Sequence, residues 1–129
     1  MIIKLLLTFI SGLLIGYILE LAYRSLRYGK LIKPRFVNYQ MYGLSAVFLY
    51  FLYYFDLPTV FKILLIFLGT TAIEFITGYG YLKIKKVRLW DYSKYAFNYQ
   101  GIICLRFSLY WLTVSLFYYY VILRVIMGV

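Results

Sequence analysis

The sequence predicts an all-α membrane protein with four transmembrane helices in a single domain, residues 1–129. It is 65% hydrophobic and its mean hydropathy is +0.84. A soluble domain of this length could not bury so much apolar surface, because small domains keep a large surface-to-volume ratio. Ten of the fourteen Lys and Arg residues lie in two short hydrophilic stretches between apolar runs. That pattern marks the cytoplasmic side of membrane proteins.

Four apolar segments are candidates for spans, since a helix needs about 20 apolar residues to cross a bilayer. They cover residues 2–23, 39–55, 58–82 and 100–126. The first has the charge and apolar run of a signal peptide but no small-residue cleavage site, so we expect an uncleaved span. Pro58 suits the first position of the third helix. The stretch 83–98 is basic and aromatic, which predicts a location at the membrane interface.

The distribution of charge predicts the orientation of the spans. The loops after the first and third spans each hold five basic residues, whereas the other side holds three. With four spans, both basic loops are cytoplasmic and both termini lie outside. Such loops attract anionic lipid headgroups, so a bilayer containing them is an expected partner. The basic residues of the two loops are Arg24, Arg27, Lys30, Lys33 and Arg35, then Lys83, Lys85, Lys86, Arg88 and Lys94.

A repeated tripeptide, Asn-Tyr-Gln, occurs at residues 38–40 and 98–100 and contains every Asn and Gln of the chain. The only two Glu residues, Glu20 and Glu74, each precede one copy. The sequence therefore predicts two hairpin repeats, 1–56 and 57–129, in the same orientation and related by a pseudo-two-fold axis along the membrane normal. A chance match is the alternative, because 17 Tyr residues make such tripeptides easier to find.

The ionisable residues within the spans are candidates for a ligand site. Such a residue costs about 2.5–3.5 kcal/mol on insertion scales, so it is expected to face the bundle interior and to have a partner. Glu20 has Arg24 at i+4, the favourable order on a helix. Glu74 lies deeper, and Arg106 on the fourth span is the available cation, so we expect a Glu74–Arg106 contact between helices. For both Glu residues, a purely structural pair is the alternative.

The amide residues at the start of the second and fourth spans form a second candidate group. Asn38 and Asn98 are expected to cap these helices, because Asn is a preferred N-cap residue. Together with Gln40 and Gln100, they would meet two helix N-termini, which carry partial positive charge and bind anions. The predicted site has an electropositive mouth with carboxylates deeper inside. It could bind a phosphorylated headgroup, a zwitterion or a cation.

Small residues indicate where helices approach each other closely. Gly12 and Gly16 form a Gly-x-x-x-Gly step on the first span, and small residues at 69–72 thin the third. Small residues permit close contact between helices in lipid. We therefore expect the first and third spans to pack together.

The residues that are missing exclude several classes of function. The chain has no His and a single Cys, Cys104, so neither a disulfide within the chain nor a Cys-cluster metal site is expected. It has no phosphate-binding Gly-x-x-x-x-Gly-Lys-Ser/Thr loop, so it should not bind ATP in the manner of P-loop proteins. Its basic residues do not form a stripe or groove, which argues against nucleic-acid binding. No cofactor, metal or catalytic residue is predicted.

Motifs in the second half of the chain carry a resemblance to a known family. A helix with Glu near its end is followed by Leu-Trp-Asp-Tyr-Ser, then by Phe-Asn, Gly and Ile-Cys. In this pattern, residues 74–111 resemble the CmpB-like family of small bacterial membrane proteins, which are named as type IV ABC-transporter permeases. The matching positions are Glu74, residues 89–93, Phe97, Asn98, Gly101, Ile103 and Cys104.

The first half is similar to the same family at fewer positions. These positions are Glu20, Arg24, Phe36, Tyr42 and Gly43, while NYQMYG stands where the family has Gly-Pro and Pro-Ile-Tyr-Gly. The resemblance implies a multi-pass protein of the bacterial plasma (inner) membrane. It also adds Trp90, Asp91, Tyr92 and Ser93 to the candidate ligand-binding residues. The alternative for this element is that Asp91 caps a short interfacial helix which Trp90 anchors.

Three functions are compatible with these features. The favoured one is a transporter or transporter-accessory subunit that binds a small polar or charged solute in a cytoplasm-facing pocket. Four helices leave little room for a pathway, so a homo-oligomer or a larger membrane complex is expected. The second is an intramembrane enzyme acting on lipid headgroups, with Glu20, Glu74 and Asp91 as acid, base or Mg²⁺ ligands. The third is a sensor or assembly factor that docks a cytoplasmic partner through its basic loops.

Overall fold

Helices dominate the computed structural model, which describes residues 2–128. The elements in chain order are α1 (Ile2–Tyr28), α2 (Phe36–Tyr53), α3 (Thr59–Gly80), β1 (Asn98–Tyr99), β2 (Ile103–Cys104), α4 (Leu105–Phe117) and α5 (Leu123–Met127). π-Helical turns continue α3 over Tyr81–Lys85 and join α4 to α5 over Tyr118–Ile122. The expected helical class is confirmed, with one addition: β1 and β2 form an antiparallel ladder of two residues each.

Within the described residues, three helices are long and apolar enough to cross a membrane. They are Ile2–Tyr28, Thr59–Lys85 and Leu105–Met127, and they coincide with the first, third and fourth predicted spans. The second predicted span, 39–55, overlaps α2, which is an 18-residue helix but is not among these three. Tyr residues and the Asn-Tyr-Gln tripeptide lower the hydropathy of α2. The fourth crossing, the orientation and the pseudo-two-fold axis therefore stay predictions.

The chain divides into two compact units. Unit 1 contains residues 2–54 and 119–128 of the described chain, and unit 2 contains residues 55–118. In unit 1, α1 and α2 form a hairpin and α5 packs against α1. The Lys4 ammonium donates to the Met127 carbonyl at 3.4 Å, and the rings of Tyr53 and Tyr119 lie 5.8 Å apart.

The glycines of α1 allow α2 to approach its backbone. A Cβ placed on Gly16 would lie 2.5 Å from the Cβ of Tyr42, and one on Gly12 would lie 2.7 Å from the Cβ of Ala46. Because real Cβ contacts are longer, only glycine fits at both positions. The Gly-x-x-x-Gly step therefore serves the crossing of α1 with α2. The glycine face is thus occupied by the hairpin partner, and the expected packing of the first span on the third stays a prediction.

In unit 2, α3 and α4 pack together and are joined by an ordered loop over residues 86–104. The described non-glycine residues with positive φ all lie in this loop, and they are Lys86, Phe97 and Gln100. Each adopts a left-handed backbone conformation that costs roughly 1–2 kcal/mol. Such residues persist where surrounding contacts over-determine the backbone, which indicates that the loop has a fixed conformation.

Neither Asn residue caps a helix as expected. The N-cap of α2 is Arg35, and Asn38 lies three residues further inside the helix. The N-cap of α4 is Cys104, while Asn98 lies in β1. The propensity of Asn for N-caps was overridden because the ladder and the loop fix where α4 begins. At α2, Lys33 precedes Pro34, and a residue before a proline is disfavoured in the helical conformation. The helix therefore begins after this proline, with Arg35 as its N-cap.

Candidate functional site

The buried carboxylate of Glu74 is the centre of the candidate site. Glu74 lies on α3, and its side chain is 2% exposed. Its Oε2 accepts a hydrogen bond from the Trp111 indole N–H at 3.0 Å and another from the Tyr92 hydroxyl at 2.9 Å. An indole nitrogen can only donate, so Oε2 must offer a lone pair. The two donors satisfy an ionisable group whose placement within a membrane-spanning helix is costly.

Aromatic rings hold Tyr92 in place beside the carboxylate. The Tyr92 ring stacks on Phe107, with centroids 4.7 Å apart and planes at 6°. Tyr95 meets both rings edge-on at centroid distances of 6.0 and 5.5 Å. Aromatic pairs contribute about 0.5–1.5 kcal/mol beyond the area they bury. Although Tyr92 belongs to a loop, its hydroxyl is therefore positioned by a packed cluster.

The loop that carries Tyr92 is fixed to α3 and to the ladder. The Trp90 indole N–H donates to the Ile102 carbonyl at 2.7 Å, and the Tyr92 amide donates to the Gly101 carbonyl at 2.8 Å. A Cβ on Gly78 would lie 2.7 Å from Ile102 and 3.0 Å from the Trp90 ring. Because position 78 has no side chain, the loop lies directly on α3 one helical turn beyond the carboxylate.

Asp91 and Ser93 shape the loop, and neither contacts Glu74 in the described structure. The Ser93 amide donates to Oδ1 of Asp91 at 3.0 Å, and the Arg88 guanidinium lies 3.9 Å from the same oxygen. The Ser93 hydrogen bonds, chiefly from its backbone, lower the pKa of Asp91, with a smaller contribution from Arg88. The ionised carboxylate thus stabilises this turn at neutral pH, and its contribution is lost as the pH falls through the lowered pKa. Residues 93–97 form turns and a bend and residues 91–92 are irregular, so the alternative of a short interfacial helix capped by Asp91 is wrong.

Arg106 does not form the expected contact with Glu74. It is the second residue of α4, its side chain is exposed, and its guanidinium lies 5.3 Å from the centroid of the Tyr95 ring. Trp111 lies more than one helical turn further along α4 and donates to Glu74. The expected partner follows from charge alone. In the structure Glu74 instead lies within hydrogen-bond distance of Trp111, a neutral donor.

Unit 1 contains a second carboxylate with an aromatic donor. The Tyr42 hydroxyl, on α2, donates to Glu20 at 3.4 Å, and Nε of Arg24 lies 3.6 Å from its other oxygen. The predicted Glu20–Arg24 pair is therefore present. In each unit taken by itself, an aromatic side chain on the helix that follows donates to the Glu.

The four amide residues are divided between the units. Asn38 and Gln40 lie on α2 in unit 1, where Asn38 is 5% exposed. In unit 2, the side chain of Asn98 organises the loop. Its Nδ2 donates to the Tyr95 carbonyl at 2.8 Å, and its Oδ1 accepts from the backbone amide of Gly101 at 3.1 Å. Gln100 is exposed, and its backbone carbonyl accepts a hydrogen bond from the Arg88 guanidinium at 3.1 Å. Of the predicted residues, unit 2 brings Glu74, Tyr92 and Trp90 together.

Trp111 was missed in the sequence. A signal was available, because a buried indole N–H usually finds an acceptor, and acceptor side chains within the predicted spans are few. The sequence prediction gives Trp111 no partner, because it pairs Glu74 with the cation Arg106. Pairing the Trp on the fourth span with the Glu on the third would have identified the contact.

Comparison with known proteins identifies the family. The family model "Putative ABC-transporter type IV" (ABC_trans_CmpB) matches residues 7–129. No curated protein and no solved structure matches the chain. The match covers both units and the whole loop 86–104, and it confirms the family to which the Leu-Trp-Asp-Tyr-Ser element pointed. This chain, with its three apolar helices of membrane-crossing length, belongs to the ABC_trans_CmpB family of ABC-transporter-related membrane proteins.

Proposed function

We propose that the chain is a transporter or transporter-accessory subunit of the bacterial plasma membrane that binds a small polar or charged solute beside Glu74. The observation that carries this proposal is the carboxylate itself: it is 2% exposed on an apolar helix and held by two aromatic donors. An ionisable residue within a transmembrane helix is by default a candidate for a functional site. Membership of an ABC-transporter family favours transport over lipid enzymology.

The placement of the site supports access from the loop side. Tyr92 reaches the carboxylate from the loop 86–104, which also carries Lys86, Arg88 and Lys94. An excess of basic residues of this kind is typical of cytoplasmic loops. In the proposed function, the solute therefore enters from the cytoplasm past this loop, and the basic residues contact anionic headgroups.

Two hairpins in the same orientation complete the proposal. In each unit the Glu receives a hydrogen bond from an aromatic residue on the helix that follows it, which supports an internal repeat. Four short spans enclose little space for a pathway, so the working form is a homo-oligomer or a complex with a larger membrane partner. In this arrangement α2 is the second span.

Native mass spectrometry of gently extracted protein tests the function. We expect the wild-type chain to retain a small solute, as a homo-oligomer or together with a stoichiometric transporter subunit. Glu74→Gln should lose the solute and keep the assembly. Replacing Lys83, Lys85 and Lys86 by Gln is the control and should leave solute retention unchanged. The opposite pattern, in which only the lysine variant loses a bound cytoplasmic protein and Glu74→Gln behaves as wild type, would contradict the proposal in favour of a docking role.

The topology can be tested separately by thiol labelling. The native Cys104 is buried, so Cys104→Ser provides a background to which Lys30→Cys or Lys94→Cys is added. If α2 crosses the membrane, an impermeant maleimide should label both positions from the cytoplasmic side of oriented vesicles and neither from outside. Labelling of the two positions from opposite sides would show that α2 does not cross, and the two-hairpin arrangement would then be wrong.

A further inference from the structure

One hydroxyl on α3 is buried without a hydrogen bond. Oγ1 of Thr71 is inaccessible to solvent and has no partner among the described residues. Three other helical threonines donate to the carbonyl four residues earlier: Thr8 to Lys4, Thr70 to Ile66 and Thr113 to Leu109. A buried polar group without a hydrogen-bond partner destabilises the folded protein. The hydroxyl of Thr71 is thus available to an external group.

This hydroxyl and the carboxylate lie on the same side of α3. Thr71 precedes Glu74 by three residues, a separation at which side chains on a helix are neighbours, about 5–6 Å apart at Cβ. One small group can therefore contact both. A carboxylate accepts about four hydrogen bonds in all, so Glu74 can accept another donor beside Tyr92 and Trp111.

We propose that Thr71 and Glu74 together bind the ammonium group of a small amine solute, one N–H donating to Oγ1 of Thr71 and another to the carboxylate of Glu74. This inference rests on the proposed function and specifies the class of its solute. A carboxylate in a low-dielectric site repels anions and attracts cations. Tyr92 and Trp111 contact this carboxylate, Phe107 stacks on Tyr92, and aromatic faces attract ammonium groups.

A metal ion suits the same residues less well. Ca²⁺ takes 6–8 oxygen ligands, and Mg²⁺ requires octahedral coordination. Both bind at metal–oxygen distances of about 2.0–2.6 Å. Thr71, Glu74 and Tyr92 supply the side-chain oxygens described at this site, fewer than Ca²⁺ requires, and Glu74 already accepts two donors. Within residues 2–128, no cluster of three or more metal-ligating side chains was found. An ammonium group needs only acceptors and aromatic neighbours, and both are present.

Fluorescence titration of the full-length protein in a neutral maltoside detergent tests the proposal. The chain has two Trp residues, and the indole of Trp111 is bonded to Glu74, so a cation there should change its emission. The probes are ethylammonium chloride, tetraethylammonium chloride and sodium chloride at equal ionic strength. We expect a saturable change with ethylammonium and none with tetraethylammonium, which has no N–H to donate.

Two adjacent threonines supply the matched variants. Thr71→Val should weaken ethylammonium binding about tenfold or more, the loss of one hydrogen bond to a charged group, while the apo protein is at least as stable as wild type. Thr70→Val is the control, because its hydroxyl already donates to Ile66, and its binding should equal that of wild type. Glu74→Gln should abolish the saturable change.

The remaining outcomes separate this proposal from the proposed function. If Thr71→Val binds ethylammonium as wild type does, or if sodium gives the same Glu74-dependent change, the ammonium site is wrong. If ethylammonium has no effect but native mass spectrometry finds a different solute that is lost in Glu74→Gln, the solute class is wrong and the transport site stands. If no solute depends on Glu74 in either experiment, both proposals are overturned.

Discussion

Replacing Gly16 by Ala is expected to destabilise unit 1 by about 3 kcal/mol, the upper end of the cost of overpacking a close-packed interior. The added methyl group would lie 2.5 Å from both Cβ and Cγ of Tyr42. Because Cβ is attached directly to the α2 backbone, no side-chain rotation can relieve the overlap. The two helices must separate, and the hydrogen bond from Tyr42 to Glu20, already 3.4 Å long, is then lost.

Reversible unfolding in mixed detergent micelles, followed by circular dichroism, measures this effect. Gly80→Ala is the matched control, because it makes the same change in a helix where no heavy atom lies within 4 Å of the added Cβ. That control should be neutral or more stable by roughly 0.5–1 kcal/mol, since alanine is the better helix former. Equal stability of the two variants would show that α1 and α2 are not in close contact at Gly16.

Replacing Tyr92 by Phe is expected to destabilise unit 2 by about 1.5–3 kcal/mol, the usual contribution of a hydrogen bond to a charged group. The change removes only the hydroxyl that donates to Glu74 at 2.9 Å. The ring and its stacking on Phe107 are retained. The carboxylate then loses one of its two aromatic donors, and its burial in α3 becomes less favourable.

Tyr99→Phe is the control for this prediction. Tyr99 lies in the same loop region and is 56% exposed, so removal of its hydroxyl should change the free energy of unfolding by less than about 0.5 kcal/mol. A double-mutant cycle of Tyr92→Phe with Glu74→Gln should give a coupling energy within the range of about 0.5–3 kcal/mol typical of contacting residues. A coupling energy near zero would contradict the contact between the Tyr92 hydroxyl and the carboxylate.

The spans could be predicted from the sequence because the bilayer imposes one simple requirement, a long apolar helix. α1, α3 and the helix of α4 and α5 meet it. α2 meets the length but has a lower hydropathy, because Tyr is both aromatic and polar. For such a segment, composition alone does not decide between a span and a helix that packs on other helices.

The candidate site was predictable in its centre and less so in its partners. Glu74 was identified because a carboxylate within an apolar helix is costly, and Tyr92 because it belongs to a family motif. The partner expected from charge, Arg106, is exposed at the start of α4, and the neutral donor Trp111 lies deeper. Which residue of α4 meets Glu74 depends on where the loop ends and α4 begins, and local residue preferences do not determine that point.

The same local preferences failed for the amide residues. Asn98 satisfies its side chain within the loop, with Tyr95 and Gly101 as partners, so it is not available to cap α4. Asn38 lies within the first turn of α2. In both cases the tripeptide lies close to the start of a helix, as predicted, but the capping role was assigned from propensity rather than from the path of the chain.

The division of the chain into units has a consequence for the entropy of folding. Unit 2 is contiguous, and its central contact joins residues only 37 positions apart, Glu74 and Trp111. Unit 1 joins residues 2–54 to residues 119–128, with all of unit 2 between them along the chain. Because the entropy cost of closing a loop rises with its length, the Glu74 cluster closes at a lower cost than the contact of α5 with α1. Unit 2 that is already folded would shorten the flexible segment between α2 and α5, so its folding favours the completion of unit 1.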